Sequence, residues 1–184
     1  MKISRIKDAK RFYVIYFSGF SLHQEEALFD AYIPQDDTCV VGFSYGAQKA
    51  FEYAYNTTQR VDKLILISPA FFQNKKPSFI RTQLHHFQTN QKKYIEQFIQ
   101  NTCYPSTIDL TPYLKVGTKE ELESLLTYTW EKKKIETLID RGINIEVFFG
   151  SKDKIVDSQE AHQYFSKTTC YTYKAYGHLL KGAV

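Results

Sequence analysis

The chain has 184 residues, of which 43% are hydrophobic and 24% are charged, and its formal net charge at pH 7 is +4. These values are typical of one globular domain with a sizeable core, and they exclude an intrinsically disordered chain. No run of 18 apolar residues occurs and the N-terminal residues lack the apolar core of a signal peptide, so no membrane segment or leader is predicted. The three cysteines lack the spacing of a disulfide framework, which favours reduced thiols and a cytoplasmic location.

The first part of the chain predicts a strand, a tight loop and a helix, in that order. Residues 11–17 are rich in aromatic and β-branched side chains, as in a core strand, and Ser18-Gly19-Phe20-Ser21 forms the loop after it. From Leu22 to Tyr32 the apolar residues recur at helical spacing, with Glu25 and Glu26 on the outer side. We therefore expect a helix between the first two strands.

A G-x-S-x-G motif follows at Gly42-Phe43-Ser44-Tyr45-Gly46. Residues 38–41 predict a short buried strand before it, and an amphipathic helix after it is predicted by the spacing of Ala47, Ala50, Phe51 and Ala54. A serine on such a sharp turn is held where a histidine can take its proton, and the two glycines let the strand and the helix approach each other. A purely structural serine is the alternative, which the flanking strand and helix disfavour.

Regular alternation of strands and helices stops after a further predicted strand over residues 63–69. Residues 71–142 contain polar helical segments with many aromatic residues, which predicts an inserted helical lid. From residue 71 to 95 the chain has no acidic residue, and its basic residues there are Lys75, Lys76, Arg81, Lys92 and Lys93. This stretch either receives an acidic partner or is an ordinary solvated face. His85 and His86 diverge on a helix and have no further ligand near them, so no metal site is expected.

The last third of the chain predicts two more strands, at residues 143–150 and 168–174. The loop between them offers two acidic side chains. Asp157 begins the sequence of a capping box for a helix through Phe165, so its expected role is structural. Asp153 has no such local role, and it follows the C-terminal end of a strand, where the catalytic groups of open α/β sheets collect. His178 comes after the last strand.

The candidate residues Ser44, Asp153 and His178 occur in the chain order of the α/β-hydrolases, which is nucleophile, acid, histidine. Ser44 would attack an acyl carbon, His178 would act as general base, and Asp153 would orient the histidine. The backbone N–H groups of Phe20 and Tyr45 would stabilise the oxyanion. We expect one compact α/β-hydrolase domain over the whole chain, with a mostly parallel sheet of five to six strands flanked by helices.

The chain resembles the short pimeloyl-[acyl-carrier protein] methyl ester esterases of biotin synthesis. The residues that carry the resemblance are Phe17-Ser-Gly-Phe20, Gly42-Phe-Ser-Tyr-Gly-Ala47, Ser68-Pro69, Lys152-Asp153 and His178-Leu-Leu180. The resemblance implies hydrolysis of the methyl ester of pimeloyl-[acyl-carrier protein], which yields pimeloyl-[acyl-carrier protein] and methanol without a cofactor. It also implies that the acyl chain lies under the lid, with Phe20 and Phe43 as candidate contacts, and that the acidic carrier protein docks on Lys75, Lys76 and Arg81.

Two features depart from the wider hydrolase pattern. The usual His-Gly before the oxyanion donor is Ser18-Gly19 here, and about 24 residues separate Gly19 from Ser44, so a strand and a helix of larger relatives are expected to be absent. We expect a monomer or a small homo-oligomer in which a second subunit covers the sheet edges.

Two other functions remain open from the sequence. One is a broad carboxylesterase or thioesterase for short acyl substrates, and the other is an inactive hydrolase fold that serves as a binding module. Nucleic-acid binding has little support, because the basic residues belong to no recognised module.

Overall fold

The structure is a computed structural model that describes residues 14–34 and 36–183. A five-stranded sheet forms its centre, and each neighbouring pair of strands is parallel. The strands follow one another across the sheet in chain order, and they are β1 (Ile15–Phe17), β2 (Cys39–Phe43), β3 (Lys63–Ile67), β4 (Asn144–Gly150) and β5 (Thr169–Tyr173). Residues 11–13 of the first predicted strand lie outside the described residues.

Six α-helices accompany the sheet within the described residues. They are α1 (Tyr45–Asn56), α2 (Pro77–Thr89), α3 (Gln91–Cys103), α4 (Lys119–Thr127), α5 (Lys132–Asp140) and α6 (Ser158–Tyr164). The predicted α/β class and the parallel sheet with flanking helices are confirmed. No helix in the described part of the chain combines the length and the apolar character that a bilayer crossing requires.

One face of the sheet is covered by helices. Because side chains alternate between the faces of a strand, Val40, Leu64 and Ile145, which are in register, all point to this side. They pack against an apolar stripe of α1 and against buried residues of α5 and α6. The helical spacing that predicted α1 therefore corresponds to its buried face, which includes Ala47, Ala50, Phe51 and Ala54.

The opposite face has a different cover. Val41, Ile65 and Phe148 point to it, and they pack against Phe29 and against Leu180 near the end of the chain. The strands follow one another across the sheet in chain order. The β1–β2 connection crosses this face, whereas the connections that contain α1, α5 and α6 cross the other face, so the β1–β2 crossover has the opposite hand. This short connection fits the predicted absence of the strand and helix that larger relatives have.

The predicted helix from Leu22 to Tyr32 is wrong in extent. Only Glu26–Phe29 is helical, as one turn of 3₁₀ helix. Ser21 and Gln24 have φ angles of 58° and 59°, in the left-handed region that ends a right-handed helix. Glu25, predicted on the outer side, is fully buried. The apolar spacing therefore reflects packing of a compact loop rather than of a regular helix.

The helical segment between β3 and β4 divides into two parts. Helices α2, α3 and α4 build a separate apolar cluster with Phe20, Tyr45 and Val156, all of which follow the C-terminal ends of strands. In contrast, α5 packs on the core beneath α1. The helices α2–α4 therefore lie over the edge of the sheet where Ser44 is located, and a lid function for them stays a prediction.

Candidate active site

Ser44 lies on the turn between β2 and α1, in a backbone conformation that few non-glycine residues adopt. Its φ and ψ angles are 54° and −114°. The turn is held by hydrogen bonds on both sides, because Ser44 N–H donates to the Ile67 carbonyl at 2.9 Å and the Ser44 carbonyl accepts from Ala70 N–H at 3.1 Å. A strained conformation that the surrounding structure fixes in this way is typical of a functional turn.

The side chains of Ser44, His178 and Asp153 form one chain of hydrogen bonds. Ser44 Oγ is 2.8 Å from His178 Nε2, and His178 Nδ1 is 2.6 Å from Asp153 Oδ2. The three groups are almost inaccessible to solvent, since Ser44 is 2% exposed, His178 is fully buried and the Asp153 side chain is 1% exposed. The structure thus brings together three residues that lie as much as 134 positions apart in the sequence.

Asp153 is fixed by its own loop. Its Oδ1 atom accepts from Ile155 N–H at 2.7 Å and from Val156 N–H at 3.1 Å, while Oδ2 faces the histidine. With both oxygens occupied, the carboxyl group holds the imidazole in one orientation. Asp157 instead accepts from Gln159 and Glu160 N–H at the start of α6. The two acidic residues of this loop therefore have different partners: Asp157 caps α6, as the sequence predicts, and Asp153 faces His178.

His178 is supported by the ring of Phe43. The two ring centroids are 5.1 Å apart, and Phe43 also packs 4.7 Å from Phe29. Since Phe43 is fully buried below the histidine, its position fits support of the imidazole ring better than the predicted contact with substrate.

The two predicted oxyanion donors, Phe20 and Tyr45, border the same cleft of about 250 Å³. Tyr45 is the first residue of α1, where backbone N–H groups have no partner within the helix. Phe20 belongs to the oxyanion loop, which we define as residues 18–22, between β1 and the 3₁₀ helix. The side chain of Phe20 is buried between α2 and α3, with its ring 6.3 Å from Phe87 and 5.5 Å from Phe98.

A larger cavity of about 430 Å³ lies between the Asp153 loop and helices α2–α4. Most of its walls are apolar, and they include Phe72, Phe79, Phe98, Leu122, Leu126 and Val156. Lys75 lines this cavity and, together with Lys76, also lines a neighbouring depression of about 410 Å³. Arg81 is exposed on α2. The three predicted docking residues thus lie on or beside the segment that closes the cavity.

Within residues 14–34 and 36–183 no group of three or more His, Cys, Asp and Glu side chains is arranged to hold a metal ion. His85 and His86 have ring centroids 6.2 Å apart on an exposed part of α2.

One contact at the site was not predicted from the sequence. The buried Glu25 Oε1 accepts from the N–H of Gly19 in the oxyanion loop at 2.8 Å. Helical spacing placed this residue on the outside, and only the break of the helix at Gln24 turns it inward.

Comparison with solved structures agrees with the fold. The structure is similar to BioG from Haemophilus influenzae, with a TM-score of 0.58 and 13% sequence identity over 90% of this chain and 88% of that one. The chain has the α/β-hydrolase fold. It is also similar to two Bacillus subtilis enzymes, carboxylesterase CesB (YbfK) and naproxen esterase (carboxylesterase NP). The TM-scores are 0.63 and 0.59 and the identities 15% and 14%, with coverage of 91% of this chain and 77% of each enzyme. No protein-family model and no curated sequence matches the chain.

Proposed function

We propose that the protein is a serine esterase in which Ser44 is the nucleophile. The observation that carries this proposal is the hydrogen-bonded chain from Ser44 through His178 to Asp153, at 2.8 and 2.6 Å. An inactive binding module would have no need to keep a strained serine, a buried imidazole and a doubly anchored carboxyl group in this geometry. The intact chain therefore favours catalysis.

The geometry supports a two-step hydrolysis. Ser44 Oγ attacks the ester carbon while its proton moves to His178 Nε2, and the carbonyl oxygen becomes an oxyanion between the N–H groups of Phe20 and Tyr45. The intermediate collapses as His178 gives the proton to the leaving alcohol. A water molecule, deprotonated by the same histidine, then attacks the acyl-serine. The second tetrahedral intermediate collapses as His178 gives this proton to Ser44 Oγ, which releases the carboxylic acid and restores Ser44. Asp153 stabilises the imidazolium cation in both steps.

As substrate we propose the methyl ester of pimeloyl-[acyl-carrier protein]. The resemblance in sequence and the structural similarity to BioG, a pimeloyl-[acyl-carrier protein] methyl ester esterase, support this choice. The cavity of about 430 Å³ has apolar walls for an acyl chain and the side chain of Lys75 at its border. An acidic carrier protein would dock on Lys75, Lys76 and Arg81. A broad carboxylesterase is the second candidate, supported by the similarity to CesB and naproxen esterase.

The decisive experiment compares hydrolysis of pimeloyl-carrier-protein methyl ester with hydrolysis of a short p-nitrophenyl ester. We expect wild type to cleave both and Ser44→Ala to lose about 10⁴-fold or more in kcat. Ser68→Ala is the matched control, because Ser68 is also a buried serine after a neighbouring strand, and its hydroxyl has no hydrogen-bond partner among the described residues. It should keep its activity.

The possible outcomes separate the candidates. Cleavage of the p-nitrophenyl ester alone would keep the esterase and reject the carrier-bound substrate. An absence of hydrolysis, with no labelling of Ser44 by a fluorophosphonate, would indicate a binding module instead.

A further inference from the structure

Glu25 is the most unusual polar residue outside the hydrogen-bonded chain of Ser44. It is fully buried, and its Oε1 atom accepts both the Gly19 N–H at 2.8 Å and the Tyr16 hydroxyl at 3.0 Å. Its Oε2 atom has no hydrogen-bond partner within the described residues. Since a buried carboxyl group with an unpaired oxygen costs stability, this position calls for a functional reason.

No basic side chain neutralises this group, since none of the ion pairs among the described residues includes Glu25. Tyr16 and Gly19 are thus its only hydrogen-bond donors there. Burial, together with the nearby Glu25 carboxyl, raises the pKa of the Tyr16 hydroxyl, so this hydroxyl remains a donor at neutral pH. Tyr16 belongs to β1 and donates a second hydrogen bond to the oxygen that accepts from Gly19.

The contact with Gly19 restrains the first of the two peptides that precede Phe20. Glu25 holds the N–H of the peptide before Gly19, and the carbonyl of the peptide after Gly19 accepts from Leu22 N–H at 3.2 Å. A trans peptide is planar, so its N–H points away from its C=O. The second of these peptides carries the N–H of Phe20. Hydrogen bonds to both peptides therefore restrain the direction of the Phe20 N–H, which is the predicted oxyanion donor.

The other side of the loop is held independently. Ser21 Oγ accepts from Gly117 N–H at 2.9 Å and the Ser21 carbonyl accepts from Lys115 N–H at 3.0 Å. These two contacts hold Ser21, which follows Phe20 in the chain, whereas Glu25 holds Gly19, which precedes it. Without Glu25 the N–H of Gly19 would lose the acceptor that the structure gives it.

We propose that Glu25 is a positioning residue that holds the N–H of Phe20 toward the oxyanion through its hydrogen bond to Gly19. This inference rests on the proposed esterase function, because Phe20 acts only if an oxyanion forms on a Ser44 adduct.

The test uses three substitutions with different geometry. Glu25→Gln keeps an oxygen where Oε1 lies, Glu25→Asp keeps the carboxyl group but shortens the reach, and Glu25→Ala removes the acceptor. The measurements are kcat and KM for a p-nitrophenyl ester, the inhibition constant of a trifluoromethyl ketone that forms an oxyanion adduct with Ser44, and the melting temperature. Tyr16→Phe is the matched control, because it removes the other donor to the same oxygen.

We expect Glu25→Asp and Glu25→Ala to lose about 10- to 100-fold in kcat, with KM within about threefold of wild type. The inhibition constant of the ketone should rise by the same factor, since its adduct also needs the oxyanion donors. Glu25→Gln and Tyr16→Phe should remain within a few fold of wild type. A merely structural role would lower the melting temperature without this parallel change in kcat and ketone affinity.

Three results would overturn the proposal. These are wild-type kcat in folded Glu25→Asp, a fall in kcat with unchanged ketone affinity, or a loss in Glu25→Gln as large as in Glu25→Asp. If Glu25→Ala does not fold, the comparison of Glu25→Asp with Glu25→Gln decides alone. An inactive wild type would reject the esterase function and this inference with it, whereas an active wild type with an unchanged Glu25→Asp rejects only the role of Glu25.

Discussion

Gly46 lies where helix α1 comes closest to the end of β1. A Cβ atom on Gly46 would overlap the carbonyl oxygens of Phe17 and Ser18, which are backbone atoms that cannot rotate away. Gly42 faces the same restriction from the other side, because its Cβ would overlap the Gly46 carbonyl. The two glycines of the G-x-S-x-G motif thus allow the close approach that places Ser44 on a sharp turn.

Gly46→Ala should therefore disrupt the turn. We expect a loss of about 1–3 kcal/mol in the free energy of unfolding from overpacking, together with a loss of Ser44 labelling by a fluorophosphonate. Thermal melts and labelling rates measure both effects. Gly142→Ala is the control, because a Cβ there has no atom within 4 Å although the φ angle is +80°. Gly142→Ala should lose only some stability and keep the wild-type labelling rate. Wild-type stability and labelling in Gly46→Ala would refute the packing explanation.

Single residues differ in how well the sequence indicates them. Ser44 has a local motif, and Asp153 and His178 follow from the chain order at successive strand ends, so all of them could be proposed from the sequence. The inward direction of Glu25 could not be predicted, because it depends on the left-handed backbone at Gln24, a residue type that gives little signal for this conformation. Candidate catalytic residues are therefore easiest to predict from the sequence where they lie in a motif or directly after a predicted strand.

At the level of elements, the loop before α6 separates two acidic residues by function. Asp157 caps α6 through the N–H groups of Gln159 and Glu160, whereas Asp153 faces His178. Asp157→Ala should lower the free energy of unfolding by about 1 kcal/mol and leave kcat unchanged. Asp153→Asn should keep the fold but lower kcat by up to about 10⁴-fold, because the amide fails to hold the correct imidazole tautomer.

Denaturant unfolding and ester hydrolysis of the two variants test this separation. Each variant serves as the control for the other, since both residues are aspartates of one loop. Equal losses of kcat in both variants would contradict the assignment of Asp153.

Elements with strong periodic patterns are predicted well from the sequence. Helix α1 begins and packs as its apolar spacing indicates, and α6 begins after the predicted capping residue Asp157. The segment 22–32 shows the limit of this reasoning, because apolar side chains at helical spacing can also be buried by a loop, here one with left-handed conformations at Ser21 just before it and at Gln24 within it. Local spacing alone does not distinguish these two cases.

On the scale of the whole molecule, the site lies at a junction of separate apolar clusters. Phe43 belongs to the cluster below the sheet, Ala47 to the cluster beneath α1, and Tyr45 to the cluster of helices α2–α4. Most of the last cluster comes from the segment 71–142, which has few strand or motif signals. The sequence therefore predicted that helices occupy this segment, but the packing of α5 on the sheet core and the shape of the cavity required the structure.

The basic residues of this segment lead to a prediction about where a carrier protein docks. Lys75, Lys76 and Arg81 take part in no ion pair within the part of the chain that the structure describes, and Lys75 lines the proposed acyl cavity. If an acidic carrier docks here, reversing the charge of Lys75 and Lys76 to glutamate should raise KM for the carrier-bound ester about tenfold or more and leave hydrolysis of a p-nitrophenyl ester unchanged.

The matched control reverses Lys132 and Lys133, an adjacent pair at the start of α5, which packs beneath α1 rather than over the site. Both double variants change the net charge equally, so a general effect of charge would raise KM in both. A local docking site predicts an increase only for the first pair, and the difference should shrink as the ionic strength approaches about 1 M, where the Debye length is only about 3 Å. An equal KM for both variants would place the docking of the carrier elsewhere on the molecule.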